Sequence, residues 1–295
     1  MTPTHKIWIA ESWAKVNLGL HVLERLPTGY HRIETGLCFI EWRDRFEVRV
    51  SEQFSLSLSN SNTSIPDGEE NLITRAYRIF EQYVGLRSNY DIKVTKQIPA
   101  GAGLGGGSSN AALTLRILNK LEDAGLSAVD LVDLSRNLGS DIAFFLQGSP
   151  GLATGMGQEI ELLDLQPDAW IITIWPGFES STAEAYKAVI PNPQPDFPLR
   201  TILTEEPVEQ WRYLLQNDLE APVAARYDLI GNIRDQLYEL GADFASMTGS
   251  GSAVIGLFEQ DFVAHHAYEA FGDLGFAVNI TRPGFQPDHG IYYKV

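Results

Sequence analysis

The sequence predicts an α+β protein of two domains. Alternating apolar residues mark strands early in the chain, Val16, Leu18, Leu20 and Val22 being the clearest case. Helix-spaced apolar residues follow, as at Ala111, Leu115, Leu118 and Leu121. Near residue 165 the pattern changes to a buried strand, a proline-rich stretch and a mixed run of helices and strands.

The elements follow in order. Trp13–Val22 reads as a strand with one apolar face. Lys15, Asn17, Gly19 and His21 share the other face, so a lysine and an asparagine point the same way. On an isolated strand such a face meets solvent. Pro27-Thr28-Gly29-Tyr30-His31 is a turn, set by its proline and glycine. Arg45–Val50 and Phe54–Leu58 are strands, and Pro66-Asp67-Gly68 is a loop. Asn71 caps a helix lined by Leu72, Ala76, Ile79 and Phe80, and Tyr90–Val94 alternates again. Ser127 and Asp130 form a capping-box pattern opening a helix with Leu131, Leu134 and Leu138 inward and Gly139 as its stop. Ser140-Asp141 begins a short apolar helix over Ile142–Leu146, and Gly148–Gly157 is irregular.

In the second half, Trp170–Trp175 is a buried strand, and the prolines between Pro191 and Pro198 exclude regular structure. Helices are expected near Val208–Leu215, Asn217–Ala225 and Ile230–Leu240. Met247-Thr248-Gly249-Ser250-Gly251-Ser252-Ala253 is a glycine turn entering the strand Val254–Phe258. A helix near Phe262–Leu274 and a strand near Ala277–Thr281 follow, and no internal repeat of fixed period is present.

Composition narrows the function. A chain of 295 residues with 44% hydrophobic content buries a substantial core. A formal net charge of −16 argues against nucleic acid as a partner, since phosphate contacts need clustered Lys and Arg. No run of apolar residues is long enough for a membrane span, and the first residues carry no apolar signal core. The single cysteine, Cys38, sits in an apolar run and packs as a small hydrophobe. A cytoplasmic enzyme fits these features.

The most informative segment is Pro99-Ala100-Gly101-Ala102-Gly103-Leu104-Gly105-Gly106-Gly107-Ser108-Ser109. Five glycines in seven residues let the backbone turn its N–H groups inward. A helix starting at Ser108 or Ser109 adds its unpaired amides and dipole, and the natural occupant is a phosphate. It is not a GxxxxGK[ST] loop, because Gly107 stands at the lysine position. It matches GxGxxG at Gly101, Gly103 and Gly106, but the acidic residues some twenty positions on, Glu122 and Asp123, fall at a helix end rather than a strand end. A flexible linker is disfavoured by the strand before it and the helix after it.

Other candidates are weaker. His265 and His266 are adjacent, so on a helix they diverge. No GxSxG motif supports a serine hydrolase.

Three segments stand out together: the Lys15/Asn17 strand, the glycine loop and the turn at Met247–Ser252. With Gly29-Tyr30-His31, Glu70-Asn71-Leu72-Ile73, Leu138-Gly139-Ser140-Asp141 and Asn217-Asp218-Leu219-Glu220, they resemble the motifs of the GHMP kinases. The resemblance covers about the first 250 residues. It implies a ribosomal protein S5 domain 2-like N-terminal domain over residues 1–165 and a ferredoxin-like C-terminal domain over 166–295, with the active site between them. It also implies an ATP- and Mg2+-dependent kinase that phosphorylates a hydroxyl of a small molecule, as a monomer or homodimer.

The same resemblance implies residue roles. Asp141 matches the family's base and Lys15 its catalytic lysine, which neutralises charge developing on oxygen. Without the resemblance, Asp141 would read as an ordinary first-turn aspartate. Pro99–Ser109 would wrap the ATP phosphates, with Ser108 or Ser109 near the metal. Asn71 and Lys96 would lie near the adenine or ribose. Asn17 and Thr182 would face the acceptor. Tyr30 and His31 would hold a cytosine, so the implied acceptor is a cytidine diphosphate-linked methylerythritol. A homoserine- or mevalonate-type kinase, and a non-catalytic ligand-binding relative, are the alternatives. Thr28 stands where close relatives usually carry Asp, and Ala102 replaces a loop glycine; neither removes a catalytic group.

Overall fold

The computed structural model describes residues 6–59, 65–66 and 68–294; Asp67 of the expected loop lies outside them. The first sheet rests on two long antiparallel strands, β1 (Ile7–Arg25) and β2 (His31–Ser51), joined by the turn at Pro27–Gly29. β3 (Ser55–Ser59) lies parallel to β4 (Asn89–Thr95), which pairs with β2. Against this sheet pack α1 (Leu72–Val84), α2 (Gly106–Leu121), α3 (Ala128–Ser135) and α4 (Ile142–Gln147). β5 (Gly151–Thr154) pairs with β2 and with β6 (Glu159–Leu162).

The second half contains β7 (Trp170–Trp175), the short helices α5 (Thr182–Ala188), α6 (Leu199–Glu205), α7 (Val208–Leu214) and α8 (Glu220–Ala224), then α9 (Asp228–Glu239). It continues with β8 (Phe244–Met247), β9 (Val254–Phe258), α10 (Asp261–Asp273) and β10 (Ala277–Thr281). Its four strands form one antiparallel sheet in the order β10-β7-β9-β8. With α9 and α10 this is the β-α-β-β-α-β arrangement of a ferredoxin-like unit. The chain then returns, and β11 (Ile291–Lys294) pairs with β1 at the edge of the first sheet.

β1 joins the two halves. Ala14, Val16 and Leu18 are fully buried with Ile171, Phe244, Ile255 and Leu257 of the second sheet. Leu20 and Val22 belong to the core under α9 and α10. Burial of this order, about 25 cal/mol per Å² of apolar surface, fixes the two sheets against each other.

The structure corrects several expectations. The first half of β2 escapes a period-2 reading because Leu37–Ile40 are buried on both faces, leaving no alternation. The Lys15/Asn17 face is not solvent-facing: both side chains are buried. His21 does not share that face, because Gly19 adopts a left-handed φ of 69° at a register shift in β1. Beyond this bulge Leu20, not His21, lines the cavity described below. The Gly148–Gly157 stretch contains β5, and β6, β8, β11, α5 and α6 are too short to leave a periodic signature. The helix after the glycine loop starts at Gly106, and the expected helix at 217–225 shortens to α8. The Asn71 cap and the Ser127/Asp130 capping box form as expected.

Candidate active site

Residues from both halves line a cavity of about 1060 Å³. Its floor comes from β1 and β2, one side from the glycine loop and α2, and the other from α5 and the turn at Gly249–Gly251.

The glycine loop is shaped by alternating left-handed residues: φ is 61° at Gly101, 78° at Gly103 and 69° at Gly105. Side chains rarely adopt these angles. At Gly103 a Cβ would also collide with the Thr248 carbonyl, and at Gly105 it would lie 2.8 Å from the Phe145 ring. The carbonyls of Gly101, Ala102 and Leu104 are already engaged: they accept from the N–H groups of Ser180 (3.1 Å), Ala253 (3.1 Å) and Lys15 (3.0 Å). Among the described residues, no N–H of residues 101–108 has a protein acceptor. Gly105 caps α2 with no side chain, so the 16-residue helix leaves its first-turn amides free. Such a row of amides at a helix N-terminus is an anion cradle.

Beside it sits an ion pair. Lys15 Nζ lies 3.6 Å from Asp141 Oδ2, with side-chain exposures of 5% and 36%. Asp141 occupies the N-cap position of α4 but makes no cap hydrogen bond, which leaves its carboxylate for the cavity. α4 holds that position because Phe144 and Phe145 pack on Phe39, at 4.5 and 5.9 Å between ring centroids. Lys15 is aimed by Asn17, whose Oδ1 accepts from Nζ at 2.6 Å and whose Nδ2 donates to Thr35 at 2.9 Å. The second glycine turn closes this corner: the Asn17 N–H donates to Thr248 Oγ1 at 2.8 Å. Asn217 Nδ2 in turn donates to the Met247 and Gly249 carbonyls, at 2.7 and 2.9 Å.

The far end of the cavity is aromatic. His31 stacks on Tyr186 with centroids 5.2 Å apart and an interplanar angle of 27°. Tyr30, 66% exposed, lines the same end. Burial, and then the Arg25 charge, hold the His31 imidazole below its ordinary pKa. Burial, and then the Asp141 charge, push the Tyr186 phenol up, so it stays protonated. Arg25 and Lys187 also line the cavity and have no ion-pair partner among the described residues.

Of the expected site residues, only Ser109 does not line the cavity. Ser109 donates its hydroxyl to the Trp13 carbonyl at 2.7 Å and its N–H to Gly105 at 2.9 Å, so it is committed to the interior while Ser108 lines the cavity. Lys96 lines the cavity, and its ammonium pairs with Asp44 and donates to Asn110 at 2.8 Å. Asn71 accepts from Ile73 at 2.8 Å and donates to the Pro66 carbonyl at 2.6 Å, as the cap of α1. Asn17 lines the cavity and also holds Lys15. Thr182, the first residue of α5, shares a 2.7 Å hydrogen bond with Ser250 across the cavity edge. Sequence reasoning missed Tyr186, Arg25 and Lys187; their only local sign is an aromatic or basic residue at a strand end and in a short helix.

Outside the cavity, Cys38 is fully buried, and that burial pushes its thiol up. His265 pairs with Asp261 at the surface of α10. Among the described residues, no group of three or more His, Cys, Asp or Glu is placed to hold a metal ion, and no helix is long and apolar enough to cross a membrane.

Comparison with known proteins agrees with this geometry. The family model for the GHMP kinase N-terminal domain matches residues 71–149, and that for the GHMP kinase C-terminal domain matches 204–275. A 4-diphosphocytidyl-2-C-methyl-D-erythritol kinase of Pelodictyon phaeoclathratiforme is 37% identical over 94% of this chain and 97% of its own. One from Geobacillus kaustophilus is 36% identical over 90% of this chain and 94% of its own. A crystal structure of 4-(cytidine 5'-diphospho)-2C-methyl-D-erythritol kinase superposes with a TM-score of 0.79 at 34% identity, covering 94% of this chain and all (100%) of that one. A homoserine kinase from Cytophaga hutchinsonii shares the fold, with a TM-score of 0.70 at 14% identity, covering 100% of this chain and 99% of its own.

Proposed function

Because the chain belongs to the GHMP kinase family, we propose that it has 4-diphosphocytidyl-2-C-methyl-D-erythritol kinase activity, transferring the γ-phosphoryl group of ATP to that substrate's 2-hydroxyl. The observation that carries this reading is the Lys15–Asp141 pair, 3.6 Å apart, in the same cavity as the unpaired amides of residues 101–108. Phosphoryl transfer asks mainly for positioning and charge stabilisation, and the cavity offers both. Asp141 accepts the hydroxyl proton as the alcohol oxygen bonds to the γ-phosphorus and ADP leaves. Lys15, held by Asn17, offsets the negative charge that develops on that oxygen.

The other end of the cavity suits the cytidine diphosphate part. His31, Tyr186 and Tyr30 offer aromatic faces and hydrogen-bonding edges to a base, and stacking of one base contributes about 1–3 kcal/mol. Arg25 and Lys187 bring cations for the diphosphate. Mg2+ would enter with the nucleotide. The Ser108 hydroxyl fits it: it lines the cavity and has no hydrogen-bond partner among the described residues, unlike Ser109. The remaining ligands would be phosphate oxygens and water, and the ion neutralises phosphate charge. The same reading makes this an enzyme of the cytoplasm, acting as a monomer or homodimer on a small molecule rather than on nucleic acid.

The test is ADP release by the purified protein with MgATP. Turnover is expected with the cytidyl substrate and not with homoserine or mevalonate. Turnover only with one of the latter two would overturn the acceptor assignment.

A further inference from the structure

The interior beneath the glycine loop holds a group that the chemistry above does not use. Asp44, on β2, is fully buried. Its carboxylate accepts from four donors. Oδ1 takes the N–H groups of Gln97 and Ile98, at 2.7 and 3.0 Å. Oδ2 takes Lys96 Nζ and, at 2.9 Å, Asn110 Nδ2. Asn110 also accepts from Lys96 at 2.8 Å and donates to Ser12 at 2.9 Å. Ser12 donates to Ser109 at 2.7 Å, and Ser109 to the Trp13 carbonyl at 2.7 Å.

These contacts bracket the loop. Residues 96–98 lead into it from β4, and Ser109 and Asn110 lead out of it in the first turns of α2. One carboxylate therefore ties both ends of the segment 99–108 to the sheet. A buried ion pair of this kind adds little net stability over an apolar substitute. It does fix geometry, because its partners have discrete hydrogen-bond directions and no water to replace them.

We propose that Asp44 is the positioning residue of the nucleotide site: it clamps the two ends of the glycine loop so that the amides between them converge on the ATP phosphates. Lys96 and Asn110 are the arms of this clamp and line the cavity themselves, whereas Asp44 does not and acts only through its partners. The inference rests on the reading of residues 101–108 as the phosphate cradle. Loosening the clamp lowers affinity for ATP. It leaves the acceptor end unaffected, since His31, Tyr186, Lys15 and Asp141 make no contact with Asp44 or Lys96 among the hydrogen bonds and ion pairs described.

Equilibrium binding of MgATP and steady-state kinetics on the full chain test this together. For Asp44→Asn, the ATP Kd and KM are expected to rise about 10-fold to 100-fold, the effect of leaving a buried donor unpaired. The acceptor KM should stay within about twofold, below the effect of one lost hydrogen bond. Asn110→Ala, which cuts only the α2 arm, should shift the same constants in the same direction, and carries the test if Asp44→Asn does not fold. Ile233→Ala, in the distant α9 core, serves as the stability control: its Tm falls but its ATP Kd should not move. If wild type binds no ATP, the cradle reading fails. If wild type binds ATP and the Asp44 and Asn110 variants bind it equally well, or if Ile233→Ala weakens ATP as much as they do, the clamp is wrong.

Discussion

The two ends of the cavity are built from different materials. The end proposed for the nucleotide is main chain: amides of residues 101–108, glycines at left-handed φ, and a buried polar lattice behind them. The end proposed for the acceptor is side chain: Tyr30, His31, Tyr186, Arg25 and Lys187, half-buried or exposed. Main-chain donors suit a phosphate, which every ATP carries and which needs no discrimination. Side chains suit an acceptor, whose base and charge must be told from those of other alcohols. Lys15 and Asp141 stand where the two ends meet.

That contrast can be broken in stages. The largest effect is expected at the junction. Asp141→Asn keeps the shape but removes the proton acceptor, and kcat should fall by about 10²–10⁴ with ATP affinity unchanged. A kcat near wild type would mean that another group takes the proton. At the nucleotide end, Gly103→Ala places a Cβ against the Thr248 carbonyl in a left-handed residue. Displacing the loop should raise the ATP KM by on the order of 100-fold, with the acceptor KM little changed. Equal loss of both would deny the two ends their independence.

At the acceptor end, Tyr186→Ala removes one stacking face. The acceptor KM should rise about 10-fold, the low end of a loss of 1–3 kcal/mol, while the ATP KM holds. The smallest effect is a pH dependence. The His31 pKa lies below the ordinary imidazole value of about 6.5, so the ring is neutral at pH 7. Protonation therefore begins only as pH falls below that value. The acceptor KM should be flat from about pH 8 to pH 7 and rise severalfold in more acidic solution, and His31→Gln should flatten the profile. A KM that rises toward alkaline pH would have the wrong sign for this residue.

What the sequence reveals divides along the same line. The glycine loop is legible because its chemistry is local: glycine spacing dictates backbone angles, and a helix follows at once. The caps at Asn71 and Ser127 are legible for the same reason. The Lys15–Asp141 pair is not. Those residues are far apart in the chain, and only the likeness to a family joins them before the fold does. Tyr186 lies on a seven-residue helix whose place against His31 no periodicity encodes. Asp44 stands between Arg43 and Arg45, where a charged strand residue reads as surface, yet it is the most deeply buried acid near the loop. His21 misleads in the other direction, because one bulge at Gly19 reverses the alternation on which its placement depended.

A crystal structure with a non-hydrolysable ATP analogue and the cytidyl alcohol bound would show whether these groups meet their ligands as proposed. The terminal phosphate should rest on the amides of residues 101–108, the acceptor hydroxyl should lie within about 2.6–3.2 Å of Asp141, and the base should contact His31 and Tyr186. A nucleotide bound away from the glycine loop, or an acceptor hydroxyl out of reach of both Asp141 and Lys15, would rule out this arrangement of the site.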